Sequence, residues 1–146
     1  MSRLIFVNLP VHDLPRATAF YEALGARKNE QFCGEAASCM VLTETIHVML
    51  LTHAHFRQFT PKPIADAHAS TEVLIAVSAD SRSGVDEMVA RAGGAGGLPD
   101  PGPKQDHGFM YGRSFEDPDG HIWEVVWMDM AAAQEAMASG ANRPPA

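Results

Sequence analysis

Apolar and polar residues alternate along much of this chain, and the spacing of the alternation predicts its secondary structure. A period of two predicts strands at 4–9, 27–32, 37–42, 46–52, 72–79, 109–115 and 122–127. A period near 3.6 predicts two helices, one that begins after Asp13 and one that begins after Ser81 or Ser83. We expect these helices to end at Gly25 and at Gly93, because glycine readily adopts the conformation that follows a helix.

The two halves of the chain repeat this pattern. A shift of 68 residues lays Ile5 over Val73, Asp13 over Ser81, and Gly25 over Gly93. An internal duplication of a βαβββ unit accounts for this match. We therefore predict an α+β fold in which paired βαβββ modules form a curved mixed sheet with helices outside and a concave face within. The expected organisation is one domain over 1–146, with modules at about 3–52 and 72–128, a linker at 53–71 and a C-terminal tail at 129–146.

Composition and charge exclude several classes of function. The net charge is -7 and Lys and Arg do not cluster, so we expect no nucleic-acid partner. No apolar run approaches the roughly 20 residues of a membrane helix, so we expect no membrane association. The start of the chain lacks a signal-peptide pattern, and Cys33 and Cys39 form no disulfide framework. A cytoplasmic location is the expectation that follows.

The segment 114–127 carries the first candidate for function. Asp-Pro-Asp-Gly at 117–120 predicts a tight turn between two strands. In the second strand the alternation puts Glu124 on one face with Ile122 and Val126. An acid among aliphatic residues costs free energy unless it is paired, protonated or bound to a cation. Glu124 is therefore a candidate metal ligand, general base or ligand-binding carboxylate.

Three motifs resemble the vicinal oxygen chelate superfamily, which includes glyoxalase I, bleomycin-resistance proteins, fosfomycin-resistance enzymes and extradiol dioxygenases. The motifs are Val-His-Asp-Leu at 11–14, Ala-Phe-Tyr-Glu-Ala-Leu-Gly at 19–25, and Phe-Glu-Asp-Pro-Asp-Gly-His-x-x-Glu at 115–124. The resemblance covers residues 3–128. It implies paired modules, a homodimer and a small-molecule ligand in the cup between modules, without choosing between domain-swapped and side-by-side pairing.

The resemblance also implies four positions for metal ligands in the metal-dependent members, at Phe6, Leu50, Leu74 and Glu124. A slip of one residue in strand 46–52 would replace Leu50 with Met49 and turn His47 inward. Phe and Leu offer no donor atoms to a hard divalent cation. Of these four residues only Glu124 could therefore bind a divalent metal, unless other registers bring in Asn8, His47 or Glu72. We expect the full metal site to be missing.

Other side chains extend the candidate site. We expect Phe6, Asn8, His47, Met49, Leu50, Glu72 and Leu74 to line the ligand-binding cup. Tyr111 and Arg113, flanked by glycines, are suited to stacking and anion contact at its rim, and we assign them a catalytic role beside Glu124.

The sequence predicts a small-molecule-binding protein of this superfamily with no substrate assigned. The alternatives are a metal-dependent lyase or extradiol dioxygenase that uses Glu124 as ligand or base, and a metal-free lyase or isomerase that uses Glu124 with Tyr111 or Arg113.

Overall fold

The computed structural model describes residues 3–139, in which two βαβββ modules follow one another. Module 1 consists of β1 (Ile5–Val11), α1 (Leu14–Ala23), β2 (Arg27–Lys28), β3 (Ala37–Val41) and β4 (Ile46–Thr52). A connecting segment with α2 (His53–Phe56) follows it. Module 2 consists of β5 (Ile75–Ser78), α3 (Arg82–Gly94), β6 (Leu98–Pro99), β7 (Gln105–Asp106), β8 (Met110–Glu116) and β9 (Ile122–Met128). Helix α4 (Met130–Ala138) lies in the predicted tail, of which residues 140–146 lie outside the described part.

Each module forms one mixed sheet with the same arrangement. The strand orders are β1-β4-β3-β2 and β5-β9-β8-β6, with β7 also paired to β8. The first strand of each module pairs in parallel with the last, and the other pairs are antiparallel. The predicted α+β class with paired βαβββ modules is confirmed. Strands β1 and β5 lie at sheet edges, which leaves one side of each without a strand partner in its sheet.

Local sequence explains where the helices begin, and less well where they end. The side chain of Asp13 accepts a hydrogen bond from the Arg16 amide at 3.1 Å, and that of Ser81 from the Gly84 amide at 3.0 Å. Gly25 follows α1 with φ +101°, as expected. Helix α3 instead continues through Gly93, and Gly96 takes the same φ of +101°. A Cβ at Gly93 would lie 2.8 Å from Cγ of Pro99, so this glycine serves close packing rather than the helix end.

The predicted strand at 27–32 is mostly wrong. Only Arg27 and Lys28 pair with β3, and a 3-10 turn at Glu30–Phe32 follows, with the side chain of Asn29 accepting from the Gln31 amide at 3.2 Å. An asparagine that bonds its own backbone favours a turn over an extended strand.

The two modules share one hydrophobic core. In β1 the side chains of Leu9 and Val11 are buried toward α1. From α1, the ring of Phe20 lies 6.0 Å from that of Phe115, and Tyr21 packs at the same ring distance on Trp123 of module 2. The face of each sheet that points away from this core carries the remaining side chains of the strands. We call it the open face of that module.

A buried polar chain lies inside the core. The Tyr21 hydroxyl donates to Oδ2 of Asp117 at 2.6 Å and accepts from Nε1 of Trp123 at 2.9 Å. Asp117 is also the residue that closes the β8–β9 turn, because its Oδ1 accepts from the amides of Asp119 and His121. Burial, and then the charge of Asp117, raise the pKa of Tyr21 well above its ordinary value. The turn of module 2 is therefore locked to the helix of module 1.

Candidate functional site

Glu124 lies on the open face of module 2. Its neighbours in β9, Trp123 and Val125, are buried in the core, so alternation turns Glu124 to the other side together with Ile122 and Val126. The register places Glu124 between Ser114 of β8 and Ala76 of β5.

A recess of about 300 Å³ surrounds Glu124. Most of its wall is apolar, with polar contributions from Gln105, Arg113 and Ser114; the apolar side chains include Leu74, Met110, Ile122 and Val126. Glu124 is half-buried, and within residues 3–139 its carboxylate forms no hydrogen bond or ion pair. A carboxylate in such surroundings is stabilised by a ligand that donates a hydrogen bond or carries positive charge. We call this cavity the Glu124 recess.

The open face of module 1 has a different character. Phe6 pairs with His47 and Asn8 pairs with Met49 across β1 and β4. The rings of Phe6 and His47 stack at 4.7 Å between centroids. Nδ1 of His47 is buried and has no hydrogen-bond partner among residues 3–139. This face therefore offers an aromatic surface, a thioether and one unused imidazole nitrogen.

The expectation that Leu50 lines the cup is wrong. Leu50 is fully buried in the core, and the register turns its neighbour Met49 to the open face with His47. The physical reason is that both faces of β4 carry apolar residues, and only packing against α1 selects which of them faces inward.

The single chain does not bring all the predicted residues together. Leu74 lines the Glu124 recess, whereas Phe6, His47 and Met49 do not. Asn8 and Glu72 line another cavity, of about 380 Å³, between β1, residues 60–73 and the start of β9. We call it the linker cavity. Ile122 lines both cavities, so they lie next to each other.

Tyr111 and Arg113 bind acidic residues other than Glu124, although Arg113 also lines the Glu124 recess. Their side chains lie on the helix side of β8 and bind acids there. The Tyr111 hydroxyl donates to Oδ1 of Asp86 at 2.6 Å, and Arg113 donates to the same atom at 2.9 Å and to both oxygens of Asp100. The Tyr111 hydrogen bond and then the Arg113 bond lower the pKa of Asp86, and the Arg113 hydrogen bonds lower that of Asp100. Both residues tie β8 to α3, and Arg113 also ties it to the loop that follows β6.

Comparison with known proteins identifies the family. The family model for the glyoxalase/bleomycin resistance protein/dioxygenase superfamily matches residues 3–125. The chain belongs to this superfamily. No curated protein matches it.

Solved structures agree with this fold. The chain is similar to hypothetical protein SA1046 from S. aureus, with 27% identity, a TM-score of 0.71, and coverage of 87% of this chain and 94% of that one. It also resembles a glyoxalase/bleomycin resistance protein/dioxygenase family enzyme from Burkholderia phytofirmans PsJN, with 19% identity, a TM-score of 0.70 and coverage of 87% and 99%. The fosfomycin resistance protein FosX from Listeria monocytogenes matches with 22% identity, a TM-score of 0.62 and coverage of 87% and 91%.

The residues at the positions that the resemblance implies for metal ligands do not fit a divalent cation. Phe6, Leu74 and Glu124 lie on the open faces, and Met49 takes the open-face position expected for Leu50. The phenyl and isobutyl side chains have no donor atoms, and a thioether is a poor ligand for hard ions. Within residues 3–139 no three His, Cys, Asp or Glu side chains are grouped so that they could hold a metal ion.

Two features of the site were not predicted from the sequence. Ser114 lies opposite Glu124 in the register, and its period-two spacing from Gly112 and Glu116 is the signal that could have indicated it. The wall that residues 60–73 supply to the linker cavity has no such signal, because that segment lacks periodicity.

No helix in the described part of the chain is long and apolar enough to span a membrane.

Proposed function

We propose that this protein binds a small organic molecule in the Glu124 recess, with the Glu124 carboxylate as the charged group that holds it. The observation that carries the proposal is the unpaired carboxylate in an otherwise largely apolar cavity of about 300 Å³. Cavities of this size and lining are typical of small-ligand sites. The ligand has an apolar body and a cationic or hydrogen-bond-donating group, and it binds without the superfamily's metal.

We propose further that the complete site belongs to a homodimer. Exposed apolar side chains occupy both edge-strand regions, with Leu4, Ile5 and Phe6 at β1 and Val73 and Leu74 at β5 between 48% and 57% exposed. Contiguous apolar surface of this kind favours a protein partner, and unpaired strand edges favour it as well. In such a dimer Phe6, His47 and Met49 of one copy would cover the Glu124 recess of the other, which is the domain-swapped pairing of modules.

The side chains available as metal ligands, acids or bases indicate the kind of activity, which the fold alone does not. The side chains of Phe6 and Leu74 have no donor atoms, which speaks against a metal-dependent lyase or dioxygenase in which Glu124 is one of four ligands. Tyr111 and Arg113 are occupied by Asp86 and Asp100, which speaks against acid–base work by these residues on the open face. Binding is therefore the activity we propose. A cytoplasmic location fits the two free cysteines.

A matched pair of probes tests the role of Glu124. Benzylamine and benzyl alcohol share an aromatic body, and only the amine is cationic at pH 7.5. We expect benzylamine to shift the NMR amide signals of Gly112, Ser114 and Val126 at concentrations about tenfold lower than benzyl alcohol, because charge-assisted bonds are the stronger ones. Glu124→Gln should remove this preference, and Glu116→Gln, a carboxylate of β8 outside the recess lining, should keep it.

Two results would overturn the proposal. The first is an equal response of wild type and Glu124→Gln to benzylamine. The second is a stoichiometric divalent ion, measured by elemental analysis after exposure to nickel, zinc or iron, that is lost in Glu124→Gln, since this would make Glu124 a metal ligand.

A further inference from the structure

The linker cavity continues into a second chamber that the proposed function does not use. This histidine chamber has a volume of about 310 Å³ and shares Pro10, Ile64, Ala65, Ala67 and His121 with the linker cavity. The two cavities adjoin at these shared residues, and we call them together the linker cleft. One end is mainly apolar, through Phe56, Ile64, Val73 and Ile122.

The wall of the linker cleft is held in place by close packing. A Cβ at Gly120 would lie 2.7 Å from the amide nitrogen of His68 and 2.8 Å from the carbonyl carbon of Ala67. Within the segment, the side chain of Asp66 accepts from the His68 amide at 3.0 Å. The β8–β9 turn and the connecting segment therefore touch at backbone distance, and the cleft is formed without a ligand.

Four histidines from separate parts of the chain line the other end of the cleft. His12 follows β1, His53 begins α2, His68 belongs to the connecting segment and His121 precedes β9. The rings of His12 and His53 stack at 4.2 Å. Nε2 of His121 donates to the carbonyl oxygen of Pro10 at 2.9 Å, and Nδ1 of His121 takes no part in this bond. The rings of His12, His53 and His68 form no hydrogen bond with any residue in 3–139.

The two carboxylates of the histidine chamber are already engaged by backbone amides. Oδ1 of Asp119 accepts from the His12 amide at 2.9 Å, and Asp66 is bound by the His68 amide as described. Lys62 and Glu72 line the linker cavity, and Arg57 contributes positive charge near His53. Burial first, and then the charge of His12, lower the pKa of His53. The free chamber thus favours the neutral form of His53, and an added anion would favour its protonated form.

We propose that the linker cleft binds an apolar molecule that ends in one anionic group, such as a medium-chain carboxylate. The hydrocarbon part lies in the linker cavity and the anionic end lies among His12, His53, His68 and His121. This site is separate from the Glu124 recess and does not depend on the role proposed for Glu124. The proposed binding uses no metal, since no three His, Cys, Asp or Glu side chains within residues 3–139 are grouped so that they could hold one.

The proposal predicts the direction of a pH effect. An anion beside the imidazoles raises their pKa, so binding takes up a proton. By linkage, the affinity rises as the pH falls from 7.5 toward 6.0, through the range in which histidine titrates. Asp66 and Asp119 also line the chamber and oppose an anion at both pH values, so they weaken binding without steepening its pH dependence.

Octanoate is the probe, and isothermal titration calorimetry measures its affinity at pH 7.5 and pH 6.0. We expect binding about fivefold tighter at pH 6.0, with a proton uptake that appears as buffer-dependent enthalpy. Two matched probes separate the parts of the ligand. 1-Octanol, the body without the charge, should bind without this pH dependence, and inorganic phosphate, a charge without the body, should not bind.

Variants complete the test. His12→Gln with His53→Gln should abolish most of the pH dependence, whereas His107→Gln, outside the cleft, should keep it. Ile64→Trp, which fills the junction of the two chambers, should weaken octanoate at both pH values. Glu124→Gln should leave octanoate unaffected, which separates this site from the proposed function. An affinity that is equal at both pH values, or one that Glu124→Gln lowers and Ile64→Trp does not, would overturn the proposal.

Discussion

Module 1 and module 2 share the same strand arrangement, apart from the additional short strand β7 of module 2, yet their two sheet faces have diverged to different degrees. On the helix side, equivalent positions remain similar, with Ala17 and Val85 both buried in the core. On the open side they differ: Asn8 corresponds to Ala76, and the counterpart of Glu124 near the end of β4 is Met49. Packing constrains the first face, because a close-packed core tolerates few changes of volume or polarity. The open face is freer to change its chemistry.

This comparison bears on how the proposed site is assembled. The aromatic and thioether groups of module 1 and the carboxylate of module 2 lie on open faces that one chain does not join in a single cavity. A site that uses both kinds of group therefore needs a second copy, whereas the linker cleft is complete within one chain.

Introducing donor atoms at two open-face positions should create a metal site that spans the two modules. Phe6→His with Leu74→His would add two imidazoles to the carboxylate of Glu124. Outer-shell partners alone change metal affinity by about 10- to 100-fold, so two new ligands should raise it by about 100-fold or more. Nickel titration followed by calorimetry measures this gain.

The single variants and the triple variant with Glu124→Gln are the controls for this metal site. Each single variant should show little gain, and Glu124→Gln should reverse most of the gain of the pair. If the double variant binds nickel no better than wild type, the open faces of Phe6 and Leu74 do not meet in solution.

A charge on the open face of module 1 should break the proposed dimer. Phe6 is 50% exposed in the chain and would be buried between copies, so Phe6→Glu places an unpaired charge in that interface. Interface residues of this kind cost 2 kcal/mol or more, which corresponds to an increase of about 30-fold in the dimer Kd. Sedimentation equilibrium measures the Kd. Phe32→Glu, a change at an exposed phenylalanine outside the open faces, is the matched control, and equal behaviour of the two variants would contradict the dimer.

The contrast between the faces also explains what the sequence could predict. Alternation in β9 is unambiguous, because Trp123 and Val125 are apolar and Glu124 between them is acidic. This difference is sufficient to assign Glu124 to its face. In β4 both faces are apolar, so period two could not decide between Leu50 and Met49. In β8, Tyr111, Arg113 and Phe115 alternate with Gly112 and Ser114. Small residues such as these do not indicate which face of the strand is covered. Arg113 shares the helix side with the buried Phe115, where acids of α3 and of the loop after β6, distant in sequence, bind it.

The linker cleft marks a further limit of sequence reasoning. Its walls depend on contacts between residues far apart in the chain, such as Gly120 with His68 and His12 with His53. None of these contacts leaves a periodic pattern in the sequence. Local rules therefore predicted the modules and their helix starts, and long-range packing determined which side chains meet.

The smallest of the three effects is a loss of stability on removal of a buried hydroxyl. Two tyrosine–aspartate hydrogen bonds of equal length allow this loss to be measured against an internal control. The hydroxyls of Tyr21 and Tyr111 each donate to an aspartate at 2.6 Å, but Tyr21 is 1% exposed and the Tyr111–Asp86 pair lies at the surface. Tyr21→Phe leaves the buried Asp117 short of a donor and Nε1 of Trp123 without its acceptor. An unsatisfied buried group costs about 1–3 kcal/mol, so we expect a loss of about 2 kcal/mol in the free energy of unfolding.

The surface variant should behave differently, because water replaces the lost partner of Asp86. Tyr111→Phe should cost less than about 0.5 kcal/mol, as is usual for surface substitutions. Urea unfolding followed by the fluorescence of Trp123 and Trp127 measures both variants under one condition. Equal losses would mean that the buried chain contributes no more than a surface bond, and that the lock between α1 and the β8–β9 turn does not hold the two modules together. A loss at Tyr21 alone, with the slope of the unfolding transition unchanged, would assign the difference to the native core, because that slope reports the surface exposed on unfolding.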